Sequence, residues 1–245
     1  MGVVKKRGGI YNEARSMKKK ISVRHPKTGK PASQTVLLGE KLEYDYSQSE
    51  WIALDTETLG LELDRDPVCS VQIASPDESS KTGVRVEILY TYSHQGKDPV
   101  LKKIIGDPKI EKIVHVFSFD LPRIERLVGV GFQGRVWDTK IMSRIGWSNT
   151  NQHGLNSLLR RHFKIEKIPN GDASDWALPY RRWSDNQIKY AAMDVLYLHE
   201  LKERLWEKVR RINREEVLLR TLDCLPAVSF ILRNRFDHGL FAWDG

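Results

Sequence analysis

Three apolar stretches of this chain each lead acidic residues inward. Residues 51–61 (WIALDTETLGL) carry Asp55 and Glu57, the run KIVHVFSFD ends on Asp120, and YAAMDVLYL carries Tyr190 and Asp194. A buried carboxylate is costly unless a cation or hydrogen bonds offset its lost hydration. A fold that takes these four acids inward therefore has to supply a shared partner. Asp55 and Glu57 lie two apart on an expected strand, so both leave one face while Thr56 leaves the other. Tyr190 and Asp194 lie four apart on an expected helix and share a face there. Where two such faces meet they enclose a pocket of oxygens, which suits Mg²⁺ or Mn²⁺. The neighbouring residues show no Cys/His set of zinc spacing.

A pair of divalent cations in such a pocket is suited to cleaving a phosphodiester, one ion activating water and the other stabilising the leaving 3′ oxygen. Tyr190 then orients the attacking water, since a phenol near pKa 10 is a poor base at neutral pH. Each piece has a plainer reading when taken singly. Asp55 and Glu57 fit a solvated strand end, Asp120 fits a helix cap, and Tyr190 with Asp194 is a common helical pair. Their joint occurrence, each in an apolar context, is what favours the metal site.

The chain has 245 residues, 40% of them hydrophobic, which suits one domain with a real core. Its net charge of +8 is unevenly spread, because residues 1–31 hold ten basic residues and one acid, Glu13. The remainder is close to neutral, unlike the basic track of a protein that grips long nucleic acid. Residues 1–48 show weak apolar periodicity and read as a basic, flexible N-terminal arm, with 49–245 as the catalytic domain. The arm is either a solvated tail or an electrostatic tether for RNA. It lacks the apolar core of a secretory signal, and an organellar targeting peptide remains an alternative. Cys69 and Cys224 lack CxxC spacing and read as buried packing residues in a reducing compartment, which suits the cytoplasm. No apolar run is long enough for a membrane span.

Strands are expected from Trp51 to Gly60 and at 69–74, 84–90 and 112–117, with a short one in GRVWDT. The first three form an antiparallel meander. Asp98-Pro99 opens a helix to about Gly106, and another runs over 119–129. Further helices are expected over TKIMSRIG (139–146) and 153–163, from Asp185 to about Arg210 behind a Ser184/Gln187 capping box, and from about Arg214 to Arg233 with an interruption near Pro226. This order implies an α/β fold, a mixed five-stranded sheet flanked by helices, with a helical C-terminal half.

WIALDTETLGL, VHVFSFDLPRI and YAAMDVLYLHELKERL resemble the three motifs of the DEDDy branch of the DnaQ-like 3′–5′ exonucleases. SDWA (174–177) and HGLNSLL (153–159) resemble the ribonuclease D superfamily. Within it, DTETLGLELDRDPVCSVQIA and the C-terminal LDCLPAV…DHGLFAWDG are similar to the nanoRNase C family of diribonucleotidases, over about residues 50–245. The resemblance implies an RNase H-like sheet and two divalent cations, Mg²⁺ or Mn²⁺. It puts Asp55, Glu57, Asp120 and Asp194 at the metal positions and Tyr190 at the third-motif tyrosine. Leu61 matches the position of an apolar wedge between two bases, or is an ordinary core leucine. Thr58 stands beside it as a substrate contact. His115 is a phosphate contact or a packed strand histidine, and Trp176 lines the pocket or packs a helix.

The activity so implied is exoribonucleolytic hydrolysis of dinucleotides and other very short RNAs to nucleoside 5′-monophosphates, by a homo-oligomer forming an octameric ring. Two alternatives stand beside it. One is a ribonuclease D-like or general single-strand exonuclease acting on tRNA 3′ ends or DNA. The other is a catalytically silent nucleic-acid-binding module. The chain departs from the family in the basic arm, in the SSKTG and SHQGKD stretches, and in VFS before Phe119-Asp120.

Overall fold

The computed structural model describes residues 16–93, 98–167 and 173–236. Seven strands, β1 (Met17–Arg24), β2 (Pro31–Gly39), β3 (Trp51–Thr58), β4 (Val68–Pro76), β5 (Val84–Tyr90), β6 (Glu111–Val114) and β7 (Val136–Asp138), form one sheet in the order β1-β2-β5-β4-β3-β6-β7. The meander β3–β4–β5 is antiparallel, with Ala53 opposite Ala74 and Gln72 opposite Ile88. β6 and β7 join parallel to β3 through helical crossovers. Those five strands are the ones expected, and their mixed sheet is RNase H-like. β3 is interior to the sheet, so Ile52, Ala53 and Leu54 are fully buried, and Asp55 and Glu57 follow at its C-terminal end. The β3–β4 register shifts between Glu57 and Thr58, ending the regular ladder beside the acids.

The two additional strands come from the segment expected to be a flexible arm. β1 pairs antiparallel with β2, and β2 lies parallel to β5. Residues 17–39 are therefore joined to the sheet, and the expected boundary at 48/49 falls between two of its strands. Residues 1–15 lie outside the described residues. The β1 alternation is masked because its inward-leaning positions are Met17, Lys19, Ile21 and Val23, one of them a lysine. Lys19 Nζ ion-pairs with Asp185 at 2.9 Å, and the outward Lys18 and Lys20 mark an edge strand protected by charge. Gly29, at φ +69°, makes the turn between the strands.

Helices α1 (Pro99–Ile105) and α2 (Phe117–Val128) stand where expected. Asp98 caps the first by accepting from Leu101 N at 2.8 Å, and Gly129, at φ +71°, stops the second. α3 (Thr139–Gly146) and α4 (Leu155–Phe163) follow. The helix expected over 185–210 is two helices, α5 (Asp185–Leu196) and α6 (Leu198–Arg211), meeting at Tyr197. Continuous apolar periodicity hides the break. α5 lies on β3, β4 and β5 whereas α6 packs on α3, so the chain turns between two supports. Tyr197, at ψ −7°, makes that turn while its hydroxyl donates to Arg24 O at 2.8 Å. The capping box of Ser184 and Gln187 forms as expected. α7 (Glu215–Asp223) and α8 (Leu225–Arg233) meet at Cys224, ahead of Pro226, and at this junction Cys224 is exposed, whereas Cys69 is buried as expected. Among the described residues no helix is long and apolar enough to cross a membrane.

Candidate active site

Asp55 and Glu57 on β3 meet Asp194 on α5, with one carboxylate oxygen of each within 4.8 Å of the others. The capping box sets the start of α5 and its apolar side lies on the sheet, which turns Asp194 to the end of β3. Asp120, the fourth acid, stands outside that group of three. Its Oδ1 accepts a hydrogen bond from Thr56 Oγ1 at 2.7 Å. The strand alternation accounts for the split, because Thr56 leaves β3 on the face opposite to Asp55 and Glu57. Asp120 is still close enough for its charge to act on Asp55, and that of Asp194 on Asp120. It lies inside α2 and caps nothing. The buried helix cap is Asp138, which sequence reading passed over. It accepts from Lys140 N, Ile141 N and Phe117 N at 2.7, 2.9 and 2.7 Å, so these bonds join the starts of α2 and α3.

The electrostatics are those of a site short of positive charge. Burial, followed by Asp194, Asp120 and Glu57, pushes the Asp55 carboxyl well above the usual carboxylate range. Burial and then Asp194 raise Glu57 to about 8. Asp120 is raised to about 7 by burial, against the Thr56 hydrogen bond and Arg123. Burial first and then Asp194 raise Tyr190, which suits the phenol to orienting water rather than removing its proton. In the unfolded chain Glu57 releases its proton near 4.5, and in the fold near 8. The stabilisation from the retained proton is complete below 4.5 and is lost as pH rises to 8. Asp120 adds the same trend from 3.8 to about 7. In EDTA, the melting temperature should therefore fall between pH 5 and pH 8.5; a flat or rising profile would show carboxylates already compensated.

One cation was missed by sequence reading. Lys167 Nζ is ion-paired and hydrogen-bonded to Asp194 Oδ1 and lies 3.8 Å from the centre of the Tyr190 ring. Burial disfavours its charge, but Asp194 and then Tyr190 outweigh that and hold the ammonium above the usual lysine range. Nothing in the segment IEK, one more lysine in a charged connection, signals this placement.

The expected substrate contacts divide. Leu61 is 79% exposed, so the core-leucine reading fails. Its turn is braced, since Arg123 Nη2 donates to Leu61 O and Asp66 accepts from Glu62 N at 2.9 Å. A Cβ on Gly60 would come within 2.1 Å of the Asp66 carboxylate, so this close approach needs glycine. Thr58 is buried and donates to Gly60 O at 2.6 Å, closing the turn. His115 and Trp176 pack inside instead. His115 Nδ1 is 2.9 Å from Thr139 Oγ1, and burial lowers the imidazole to about 3, leaving it neutral. Trp176 is fully buried in a short 3₁₀ turn (Ala173–Ala177), edge-on to Trp183 at 4.9 Å. Both are buried, so neither presents a surface to a substrate. The SHQGKD stretch and the DHGLFAWDG end fall largely outside the described residues.

Residues 34–210 match the 3′–5′ exonuclease family. The chain belongs to this family. It is 30% identical to DNA polymerase I of Aquifex aeolicus over 175 residues, 71% of this chain and 27% of the polymerase. It is 26% identical to Ribonuclease D of Sphingobium indicum, over 70% of this chain and 42% of that protein. The chain thus spans less than half the length of these relatives. Among solved structures, Brucella melitensis NrnC superposes with a TM-score of 0.71 at 33% identity, over 83% of this chain and 95% of that one. NrnC bound to pGG and NrnC with bound Mg²⁺ give TM-scores of 0.69 and 0.68. Escherichia coli RNase D, at 21% identity and a TM-score of 0.61, shares the fold.

Proposed function

We propose that this exonuclease hydrolyses very short RNAs, dinucleotides above all, from the 3′ end to nucleoside 5′-monophosphates. Asp55, Glu57 and Asp194, with Asp120 beside them, are the residues that would hold two divalent cations, Mg²⁺ or Mn²⁺. The donor set fits, being all carboxylate oxygen and already drawing the Lys167 ammonium onto Asp194. When bound, such ions supply Lewis-acid activation of water and stabilisation of the charge on the leaving oxygen. The chain's own contributions are positional. Tyr190 shares a helix face with Asp194 and holds a water at the scissile phosphate, and Thr56 keeps Asp120 at the edge of the cluster. The homo-oligomeric ring belongs to the same reading.

The observation that carries the preference for short substrates is Leu61, a leucine 79% exposed on a turn braced just beyond the acids. An apolar side chain held in solvent there is placed to wedge between two bases. The resemblance to NrnC, which has been solved with pGG, supports the same substrate class.

The deciding experiment compares turnover of 5′-labelled RNAs of two to about seven nucleotides, a tRNA precursor and single-stranded DNA. A steep preference for the two-mer is expected, and activity that is flat or rises with length would select the general exonuclease. Leu61→Ala should raise KM for the two-mer about tenfold with kcat little changed, because burying a leucine side chain is worth ~1.5–3 kcal/mol. An unchanged KM would remove Leu61 from the substrate site.

A further inference from the structure

Lys167 is bonded to Asp194, one of the acids that would hold a metal, and this inference rests on the nuclease reading above. Its side chain is 12% exposed and that of its partner Asp194 is 5% exposed, so the pair is shielded from water. Asp194 is also one of the three acids whose ligand atoms gather within 4.8 Å. The Lys167 charge acts on Asp55 and Glu57 as well. It also lies against the Tyr190 ring at 3.8 Å, a cation–π contact. An ammonium on Asp194 and a divalent cation among the same acids repel each other strongly at low dielectric. Lysine is a point charge on a flexible four-carbon stem, so the contact can be exchanged without moving the backbone.

We propose that Lys167 is a resident counter-cation: it holds Asp194 and Tyr190 in their working positions before metal arrives, and metal loading proceeds by exchanging its ammonium off Asp194. Two effects follow. The acids are partly neutralised in the metal-free protein, so the site is assembled in advance. Metal affinity is weaker than the same acids would give alone, because part of the binding free energy displaces the lysine.

The test is calorimetric titration of the full chain with Mn²⁺, without substrate, at one pH and ionic strength. The proteins compared are wild type, Lys167→Met, Lys167→Gln, Lys167→Arg and Asp55→Asn. Lys167→Met and Lys167→Gln should bind Mn²⁺ at least tenfold more tightly than wild type and melt at a lower temperature in EDTA. Saturating Mn²⁺ should close that gap in melting temperature. Lys167→Arg, which keeps the charge, should stay near the wild-type affinity. Lys167→Gln carries the test if the methionine variant does not fold without metal. Mn²⁺ affinity that is unchanged or weaker in the neutral variants would overturn the exchange, with the nuclease reading intact. A wild type without any Mn²⁺ binding that Asp55→Asn diminishes would sink the nuclease reading itself, and this proposal with it.

Discussion

Asp55→Asn should lower kcat/KM on short RNA by at least ~10²–10³-fold, the scale on which a preorganised charge-stabilising group acts. The amide keeps the shape of the side chain and removes its charge. Asp55 lies on β3 within the group formed with Glu57 and Asp194, so its carboxylate is one that a cation pair cannot lose cheaply. The metal-free fold should tolerate the change, because burial and three neighbouring carboxylates already disfavour the charged form of Asp55. The measurement pairs kinetics in Mn²⁺ or Mg²⁺ with melting in EDTA. A variant that keeps more than a tenth of the wild-type rate would show that the reaction centre lies elsewhere. Loss of activity together with loss of the fold would instead make Asp55 structural.

Asp194→Ala should behave differently although it belongs to the same cluster. It too should abolish cleavage, but it also removes the partner of a buried ammonium. Breaking a buried ion pair from one side costs ~3–5 kcal/mol, because the remaining charge is left without compensation. The loss should fall toward the lower end of that range, since the Lys167 charge still acts on Asp55 and Glu57. Denaturant unfolding in EDTA should therefore show a large drop in midpoint for Asp194→Ala and little for Asp55→Asn. Equal stability of the two variants would mean that Lys167 and Asp194 are not an energetic pair. The contrast matters because acids related by motif are not equivalent: one is crowded by like charge and the other has a direct ammonium partner.

Much of this architecture is legible along the chain because the signals are local. Apolar runs with Gly and Pro punctuation locate β3, β4 and β5. Asp98-Pro99 opens α1, Gly129 closes α2, and Ser184 with Gln187 starts α5. What is illegible comes from distant pairing. β1 looks like a basic tail because Lys19 occupies an inward-leaning but half-exposed position, and its partner Asp185 lies far along the chain. The break at Tyr197 leaves the apolar repeat of α5 and α6 undisturbed, so periodicity cannot register it.

The candidate site divides along the same line. That Asp55 and Glu57 share a face, and Tyr190 and Asp194 another, follows from strand and helix periods alone, and the apolar company of each acid demands a cationic partner. Which acids converge, and on what, depends on packing between elements. Thr56 draws Asp120 out of the group, burial turns His115 and Trp176 into core residues, and the turn beyond β3 projects Leu61 into solvent. Lys167 reaches Asp194 only because the segment after α4 returns to α5. Backbone period is a property of neighbouring residues, whereas charge compensation and exposure are settled by whatever the folded chain brings alongside.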